Sequence, residues 1–141
     1  MTWFYKDKVY NDTPERTDYV GFVYLITELE TNRKYVGKKL FHSPRKRMVT
    51  LKNGNKRRKT VYVDSNWRDY FGSSDSLNEQ VKSKGVTEYK REILHLCQSK
   101  GIMSYLELKE QVDREVLFTT EYYNEFIGAK IHSKHVAKYK C

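Results

Sequence analysis

Hydrophobic residues fall into three runs with strand character in the first two thirds of the chain. Residues 19–27, YVGFVYLIT, are rich in β-branched and aromatic side chains and predict a buried strand. Residues 34–39 predict a returning strand after a polar turn at Thr31-Asn32, and residues 88–97 predict a third strand. Connections this short favour antiparallel pairing. The pattern therefore predicts an α/β fold with a small, mainly antiparallel three-stranded sheet flanked by helices.

Two helices are predicted in the second half of the chain. After the break at Gly72-Ser73-Ser74-Asp75, whose side chains can cap a helix, residues 76–84 predict a short helix ending at Gly85. Residues 102–117 predict a longer one. Its apolar stripe at helical spacing consists of Ile102, Tyr105, Leu108, Val112 and Val116. Residues 67–71 predict one further helical turn, and residues 122–127 predict a segment that returns to the core.

The remaining segments divide the chain into an arm, one domain and a tail. With 141 residues the chain fits a single compact domain. We expect an N-terminal arm at 1–18, either loosely ordered or a short extra strand, a domain at 19–127 and a basic C-terminal tail at 128–141. Within the domain, residues 40–66 form an excursion in which two β-prone runs flank Asn53-Gly54, a strong hairpin signal. The excursion is predicted to be a mobile basic hairpin or loop that projects from the core.

Positive charge is concentrated in that excursion. The formal net charge is +9, yet no Asp or Glu occurs from Thr31 to Val63, a window with twelve Lys or Arg residues. Subtracting twelve from 27 leaves fifteen basic residues against 18 acidic ones, a net of −3 elsewhere. A local basic segment of this kind is typical of a surface that binds polyphosphate, since neutralising phosphates releases counterions. A solvated loop without a partner is the alternative interpretation.

Compartment and metal signals are mostly negative. No run approaches the roughly 20 apolar residues that span a bilayer, so no membrane contact is expected. The first residues lack the apolar stretch of a signal peptide, which predicts an intracellular, cytoplasmic protein. Two cysteines indicate no disulfide framework: Cys97 is expected to be a buried apolar filler and Cys141 a mobile thiol. A zinc site is not expected, because no common zinc spacing joins His95, Cys97, His132, His135 and Cys141.

The most specific motif is a pair of tyrosines on the first two predicted strands. Phe22-Val23-Tyr24 and Tyr35-Val36-Gly37 form a hairpin that could bring both hydroxyls to one side. This motif resembles the GIY-YIG nuclease signature, and the order of elements resembles that superfamily over residues 20–127. The basic excursion and the segment WRDYFGSS are similar to phage-borne, homing-type relatives. The motif departs at Phe22, where the family commonly has Gly.

The resemblance implies particular site residues. Tyr24 and Tyr35 would position or deprotonate water, and Asn124 would support the site. The arginine that binds the scissile phosphate is Arg45, slightly favoured by spacing, or Arg68. The carboxylate that holds a divalent metal, Mg²⁺ or Mn²⁺, is Glu107, with Glu110 as the alternative. A hard cation suits one carboxylate plus waters and phosphate.

The resemblance also implies an activity and a partner. The chain would be a metal-dependent endonuclease, phage-encoded or homing-type, that hydrolyses double-stranded DNA. It would act in the cytoplasm, which includes the host cytoplasm of a phage-infected cell. Cations on the second strand and in the excursion would bind DNA: Lys38, Lys39, Lys56, Arg57, Arg58 and Lys59. The family often has a His before the third strand, where this chain has Gly72-Ser73. Tyr24 is therefore a candidate general base if Lys38 or the metal water lowers its pKa.

Two other function classes stay open. A non-catalytic nucleic-acid-binding or accessory protein on a nuclease-derived scaffold would use the same basic surface and tyrosines for charge and stacking contacts. The missing His and the two competing arginines favour that alternative. A weaker one is a basic module that binds an acidic protein surface.

Overall fold

Seven strands and two helices lie within residues 2–128, the part of the chain described by the computed structural model. The strands are β1 (Trp3–Tyr5), β2 (Lys8–Tyr10), β3 (Gly21–Glu28), β4 (Lys34–Leu40), β5 (His42–Thr50), β6 (Lys56–Asp64) and β7 (Tyr89–Cys97). The helices are α1 (Asp75–Lys84) and α2 (Lys100–Asp113), and single 3-10 turns lie at Trp67–Asp69 and Val86–Glu88. The predicted basic tail lies outside these residues from position 129 onward, as do His132, His135 and Cys141.

The main sheet has five strands in the order β2-β1-β7-β3-β4. Strand β3 pairs antiparallel with both β4 and β7, which is the predicted three-stranded centre. The N-terminal segment, predicted to be a loosely ordered arm or a short extra strand, forms a hairpin in which β1 pairs antiparallel with β2 and parallel with β7. Each of these strands has only three residues, and their turn has Lys6 and Asp7 at positive φ. Strands this short show no periodic signal, so the sheet is mixed and larger than expected.

Both faces of the central strand β3 are buried, which explains its continuous apolar run. Alternate residues point to opposite faces, so Phe22, Tyr24 and Ile26 join an aromatic core on one side. Val23 and Leu25 join an aliphatic core on the other side, beneath α2. Phe22 is fully buried, with its ring centroid 4.9 Å from that of Phe41 and 5.0 Å from that of Trp3. The departure from Gly at this position therefore supplies core packing.

Helix ends follow local capping chemistry. The Ser74 side chain accepts a hydrogen bond from the Leu77 amide and caps α1, which ends at Gly85 with φ 95°. Helix α2 ends at Asp113 and not at residue 117 as predicted, because the chain turns at Glu115 with φ 53°. No helix within residues 2–128 is long and apolar enough to cross a membrane.

The basic excursion forms a two-stranded ribbon. Strands β5 and β6 pair antiparallel with each other from His42↔Asp64 to Thr50↔Lys56 and make a sheet separate from the main one. We call His42–Asp64 the β5–β6 ribbon. The turn includes Gly54 at φ 86°, as the Asn-Gly signal predicted. Most ribbon side chains are exposed.

Candidate active site

The two motif tyrosines lie on the same face of the sheet. In the register, Tyr24 on β3 is opposite Gly37 on β4, and Tyr35 is opposite Ile26. The rings are diagonal neighbours with centroids 6.2 Å apart. A Cβ at Gly37 would lie 2.3 Å from the Tyr24 hydroxyl oxygen, so only glycine lets the phenol lie across β4. The hairpin prediction is confirmed, and the glycine of the second motif has a steric role.

The segment Tyr70–Ser73 closes over the phenols. The Tyr70 ring meets Tyr24 edge-on with centroids 6.0 Å apart, and the Tyr35 hydroxyl lies 2.8 Å from Ser73 Oγ. Gly72 has φ 89° and lies against the Tyr35 ring. The sequence analysis assigned only Arg68 of the WRDYFGSS segment to the site and gave no role to Tyr70 or Ser73. The signal that could have indicated these roles is the run of two aromatic residues followed by small polar residues at the end of this segment.

A buried arginine holds this segment in place. Arg91 on β7 is fully buried, and its guanidinium lies 4.6 Å from the Trp3 ring centroid and 4.5 Å from that of Phe71. Its Nη1 donates a hydrogen bond of 2.9 Å to the Tyr70 carbonyl. Strand β1 thus supports the site from behind, because Trp3 also packs against Tyr24 at 5.4 Å between centroids.

A cavity of about 230 Å³ lies beside the Tyr35 hydroxyl. Its lining includes Tyr35, Ser73, Glu107, Gln111 and Asn124. Tyr24 lies behind Tyr35 and is nearly completely buried. Three of the predicted site residues therefore border one cavity, and a fourth lies directly behind it.

The two candidate carboxylates on α2 have different surroundings. Glu107 borders the cavity, its side chain is 14% exposed, and its nearest cation is the Lys38 ammonium at 4.0 Å. Glu110 points elsewhere, where it bonds His95 and Arg114, each at 2.9 Å. The geometry therefore favours Glu107 for a role in the cavity.

Asn124 clamps the backbone of β4 between the motif residues. Its Oδ1 accepts from the Val36 amide at 3.0 Å, and its Nδ2 donates to the Val36 carbonyl at 2.8 Å. Gln111 Nε2 donates to the same carbonyl at 3.2 Å. Asn124 therefore positions Tyr35 and Gly37 through the backbone between them, and Gln111 was a partner that sequence analysis missed.

Neither candidate arginine is among the residues that line the cavity. Arg68 is held by the N-terminal segment: its Nε donates to the Asn11 carbonyl at 2.9 Å and its Nη2 to Thr13 Oγ1 at 2.8 Å. It also faces Asp64 at 3.5 Å. Arg45 is exposed on the ribbon, where its Nη1 donates to the Pro44 carbonyl at 3.3 Å.

The predicted DNA-binding lysines of β4 lie at the edge of the site. The Lys38 ammonium donates to Ser104 Oγ at 2.7 Å, beside Glu107. The Lys39 ammonium lies 4.2 Å from the Tyr70 ring centroid, and burial lowers its pKa. The four cations of the Lys56–Lys59 run lie farther out, at the start of β6.

Burial keeps both phenols protonated. It raises the pKa of Tyr24 well above the usual value, and it also raises the pKa of Tyr35. The hypothesis that Lys38 lowers the pKa of Tyr24 is thus wrong for the geometry seen, since desolvation dominates and the neighbours Tyr70, Tyr35 and Glu107 add to it. The phenols are therefore hydrogen-bond donors near neutral pH. Burial also raises the pKa of Glu107, against the effect of Lys38.

The donor set fits a hard cation that uses one protein ligand. Within residues 2–128 no three His, Cys, Asp or Glu side chains are clustered to hold a metal. Glu107 is a largely buried carboxylate, and the cavity lining also includes hydroxyl and amide groups and the exposed acidic residues Asp75 and Glu125. Mg²⁺ commonly binds one or two carboxylates and takes its other ligands from water and substrate phosphate. Glu107 therefore fits Mg²⁺ or Mn²⁺.

Comparison with protein families gives one match. A family model described as "Putative endonuclease segE, GIY-YIG domain" matches residues 3–127. The match starts at β1 and so includes the N-terminal hairpin that sequence analysis left outside the domain. No curated protein and no solved structure matches the chain.

Proposed function

Because this chain belongs to the GIY-YIG domain family of the putative endonuclease segE, we propose that it hydrolyses phosphodiester bonds of double-stranded DNA with Mg²⁺ or Mn²⁺. Membership implies nuclease activity in general. DNA as the substrate, the metal and the site residues are our proposal.

One observation carries the proposal. The Tyr35 hydroxyl, the Glu107 carboxylate and the Asn124-clamped backbone border the same cavity, and Lys38 lies 4.0 Å from that carboxylate. Donors, a metal-binding oxygen and a cation around one small space are what phosphoryl chemistry needs, since charge develops on the phosphate oxygens.

The chain's own residues have distinct roles in this mechanism. The protonated Tyr35 donates a hydrogen bond to the attacking water or to a phosphate oxygen, and Ser73 fixes the direction of its hydroxyl. Tyr24 supports Tyr35 from behind and presents a second phenol. Preorganised donors of this kind stabilise the transition state because they need no rearrangement during the reaction.

Two cations are assigned to the phosphate charge. The Lys38 ammonium lies 4.0 Å from the Glu107 carboxylate, which borders the cavity. Of the two arginines, the geometry favours Arg45, because its guanidinium is exposed while that of Arg68 is engaged by Asn11, Thr13 and Asp64. A guanidinium can bind two phosphate oxygens at once. We assign Arg45 to the phosphate once DNA lies along the ribbon.

Glu107 would hold the metal ion. When bound there, Mg²⁺ supplies Lewis-acid stabilisation of charge on the phosphate and the leaving oxygen. Lys38 links β4 to α2 on this side of the cavity, because its ammonium donates to Ser104 and faces Glu107.

The test is nicking of supercoiled plasmid DNA with and without Mg²⁺ by wild type, Glu107→Ala and Glu110→Ala. We expect Glu107→Ala to lower the nicking rate on the order of 10²-fold or more, because it removes the only carboxylate assigned to the metal. Glu110→Ala is the matched control on the same helix and should cut within a few fold of wild type. Equal activity of Glu107→Ala and wild type would remove the proposed site.

A second function is favoured by one observation, the absence of both candidate arginines from the cavity lining. A non-catalytic nucleic-acid-binding protein would retain the basic ribbon and the phenols without needing a phosphate-binding arginine at the cavity. Salt-sensitive DNA binding without nicking in Mg²⁺ or Mn²⁺ would establish this function instead.

We also propose a phage-encoded, homing-type role in the cytoplasm of an infected cell. It is supported by the likeness of the WRDYFGSS segment and the basic excursion to phage-borne relatives. Cleavage at one site in a mixture of long genomic fragments would support it, and cutting without site preference would contradict it.

A further inference from the structure

The two faces of the β5–β6 ribbon differ in what they contact. Residues opposite each other in an antiparallel pair lie on the same face, so the register separates odd-numbered from even-numbered residues. We call them the odd face and the even face. The cations of the odd face are Arg45, Arg47, Arg57 and Lys59. Those of the even face are Lys46, Lys56 and Arg58.

The even face is covered at its base by the N-terminal segment. The Arg16 guanidinium lies 3.4 Å from the Tyr62 ring centroid, and Thr13 Oγ1 donates to Asp64 at 3.3 Å. The Lys46 ammonium is bonded to Thr60 across the strands. These contacts occupy the base of the even face, while the cations farther out on both faces are exposed.

The odd face leads into the candidate active site. Ser43, at the base of this face, lines a depression of about 380 Å³ together with Lys38, Lys39 and Ser104. Lys38 in turn lies 4.0 Å from the Glu107 carboxylate. A polyanion that lies along the odd face is therefore led past these lysines to the cavity.

No Lys or Arg of the ribbon, on either face, takes part in an ion pair within residues 2–128. Arg47 is directly opposite Lys59, and like charges opposite each other destabilise a strand pair. A polyanion between them would relieve this repulsion. The ribbon therefore has the charge arrangement of a binding element.

We propose that the odd face of the ribbon enters the major groove of a B-form duplex and so guides one strand to the cavity. Each strand has nine residues, which gives a ribbon about 30 Å long at roughly 3.3 Å per residue. The major groove of B-DNA, about 12 Å wide, admits a two-stranded ribbon. The narrow major groove of A-form RNA does not. The partner is therefore double-stranded DNA. The part of this proposal that gives the cavity a role rests on the proposed nuclease function.

The groove can be identified by methylation protection with the full chain carrying Glu107→Ala, which prevents cutting during the assay. Dimethyl sulfate modifies guanine N7 in the major groove and adenine N3 in the minor groove. We expect protection of guanine N7 within the bound region and no protection of adenine N3. Protection of adenine N3 alone, or equally tight binding of duplex RNA, would overturn the proposal.

Two charge-matched triple variants of that chain test the face. Arg47→Gln, Arg57→Gln and Lys59→Gln together should weaken binding to a B-form duplex at least about tenfold, whereas Lys46→Gln, Lys56→Gln and Arg58→Gln together should weaken it less than about threefold. Circular dichroism and the melting temperature confirm that both are folded. Equal losses would show that only the total charge matters and would overturn the assignment.

Nicking by the wild-type chain keeps this inference separate from the nuclease proposal. Guanine N7 protection without nicking leaves the ribbon assignment in place and removes the nuclease proposal. Nicking without guanine N7 protection leaves the nuclease proposal in place and removes the ribbon assignment.

Discussion

Gly37 makes the tightest contact with the motif tyrosines. A methyl group there would lie 2.3 Å from the Tyr24 hydroxyl oxygen and 2.6 Å from Cζ of the same ring. Tyr24 is only 1% exposed, and Trp3 and Tyr70 pack against its ring, so it has little freedom to move away. The phenol and the glycine therefore depend on each other for their positions.

Gly37→Ala should accordingly reduce both stability and nicking. Overpacking of a buried site costs about 1–3 kcal/mol, and displacement of Tyr24 also moves Tyr35. The free energy of unfolding in urea and the plasmid nicking rate measure the two effects. Gly128→Ala is the control for stability, because a methyl there meets nothing within 4 Å. An unchanged Gly37→Ala variant would show that the phenol is not confined.

The two candidate arginines should separate stability from catalysis. Arg68→Ala removes hydrogen bonds to Asn11 and Thr13 and should cost about 1–2 kcal/mol of unfolding free energy, with nicking retained well below the melting temperature. Arg45→Ala should leave stability within about 0.5 kcal/mol and lower nicking on the order of 10²-fold. The reverse result would assign the phosphate to Arg68.

At the scale of elements, Glu28 at the end of β3 joins four parts of the fold. The carboxylate is 1% exposed and accepts hydrogen bonds from Lys84 of α1, Tyr89 of β7 and Tyr123 in the segment after α2. Thr31 in the hairpin turn also donates to it, at 2.9 Å. Burial alone would raise the pKa of Glu28, but the bonds from Lys84, Tyr123 and Thr31 outweigh it and lower the pKa to about 2.

Stability should therefore fall in acid because of this group. The folded pKa of about 2 lies below the ordinary value of 4.5, so the ionised carboxylate stabilises the fold above pH 4.5. This stabilisation is lost as the pH falls towards 2, and it amounts to on the order of 3 kcal/mol at neutral pH. Urea unfolding of wild type and Glu28→Gln between pH 7 and 3 measures it. The difference between the two proteins should shrink as the pH falls.

Glu30→Gln is the matched control for Glu28. Its carboxylate pairs with the same Lys84, at 3.7 Å, but its side chain is 70% exposed. An exposed pair of this kind contributes about 0–1 kcal/mol. If Glu30→Gln destabilises the protein as much as Glu28→Gln, the buried hydrogen bonds of Glu28 are not the cause of its effect.

Elements with local signals were predictable, and those that depend on distant pairing were not. The Tyr24 and Tyr35 strands, α1 with its cap at Ser74, and the ribbon turn at Gly54 follow from residues adjacent in sequence. Strand β1 requires pairing of Trp3 with Arg91 in parallel register, which three residues cannot signal. The burial of Arg91 between two aromatic rings was likewise invisible, because sequence patterns place arginine outside.

At the scale of the whole molecule, the concentrated positive charge and the candidate active site lie on different elements. The cavity is lined by three acidic residues, Asp75, Glu107 and Glu125, together with neutral hydroxyl and amide groups, whereas the ribbon carries cations without any acid before Asp64. The sequence analysis placed the positive charge in this segment but assigned all four cations of the run Lys56–Lys59 to one DNA-binding surface. Strand alternation divides that run between the two faces, which the linear sequence could not show without a register.

The salt dependence of DNA binding should reflect this division. Neutralising Lys56, Arg57, Arg58 and Lys59 together should reduce the slope of log affinity against log salt by about 2, because two of the four lie on the odd face. Filter binding or anisotropy between low and high salt measures the slope. A reduction of about 4 would mean that both faces contact phosphates.

The control changes the same charge away from the ribbon. Exposed lysines on other elements, replaced together by Gln, should leave the slope unchanged: Lys6, Lys8, Lys82 and Lys109. A slope that falls as much as for the ribbon variant would show a response to net charge alone.

The ribbon is complete within residues 42–64, whereas the cavity requires Asn124 to clamp Val36. During synthesis the ribbon, which we propose binds DNA, therefore emerges from the ribosome long before the cavity, our proposed site of cutting, can assemble. We expect stalled nascent chains that expose the ribbon but not Asn124 to be retained on DNA-cellulose without nicking it, and nicking by such chains would contradict this. Translation order would then act as a safeguard, because a polypeptide interrupted partway can hold DNA but leaves it intact.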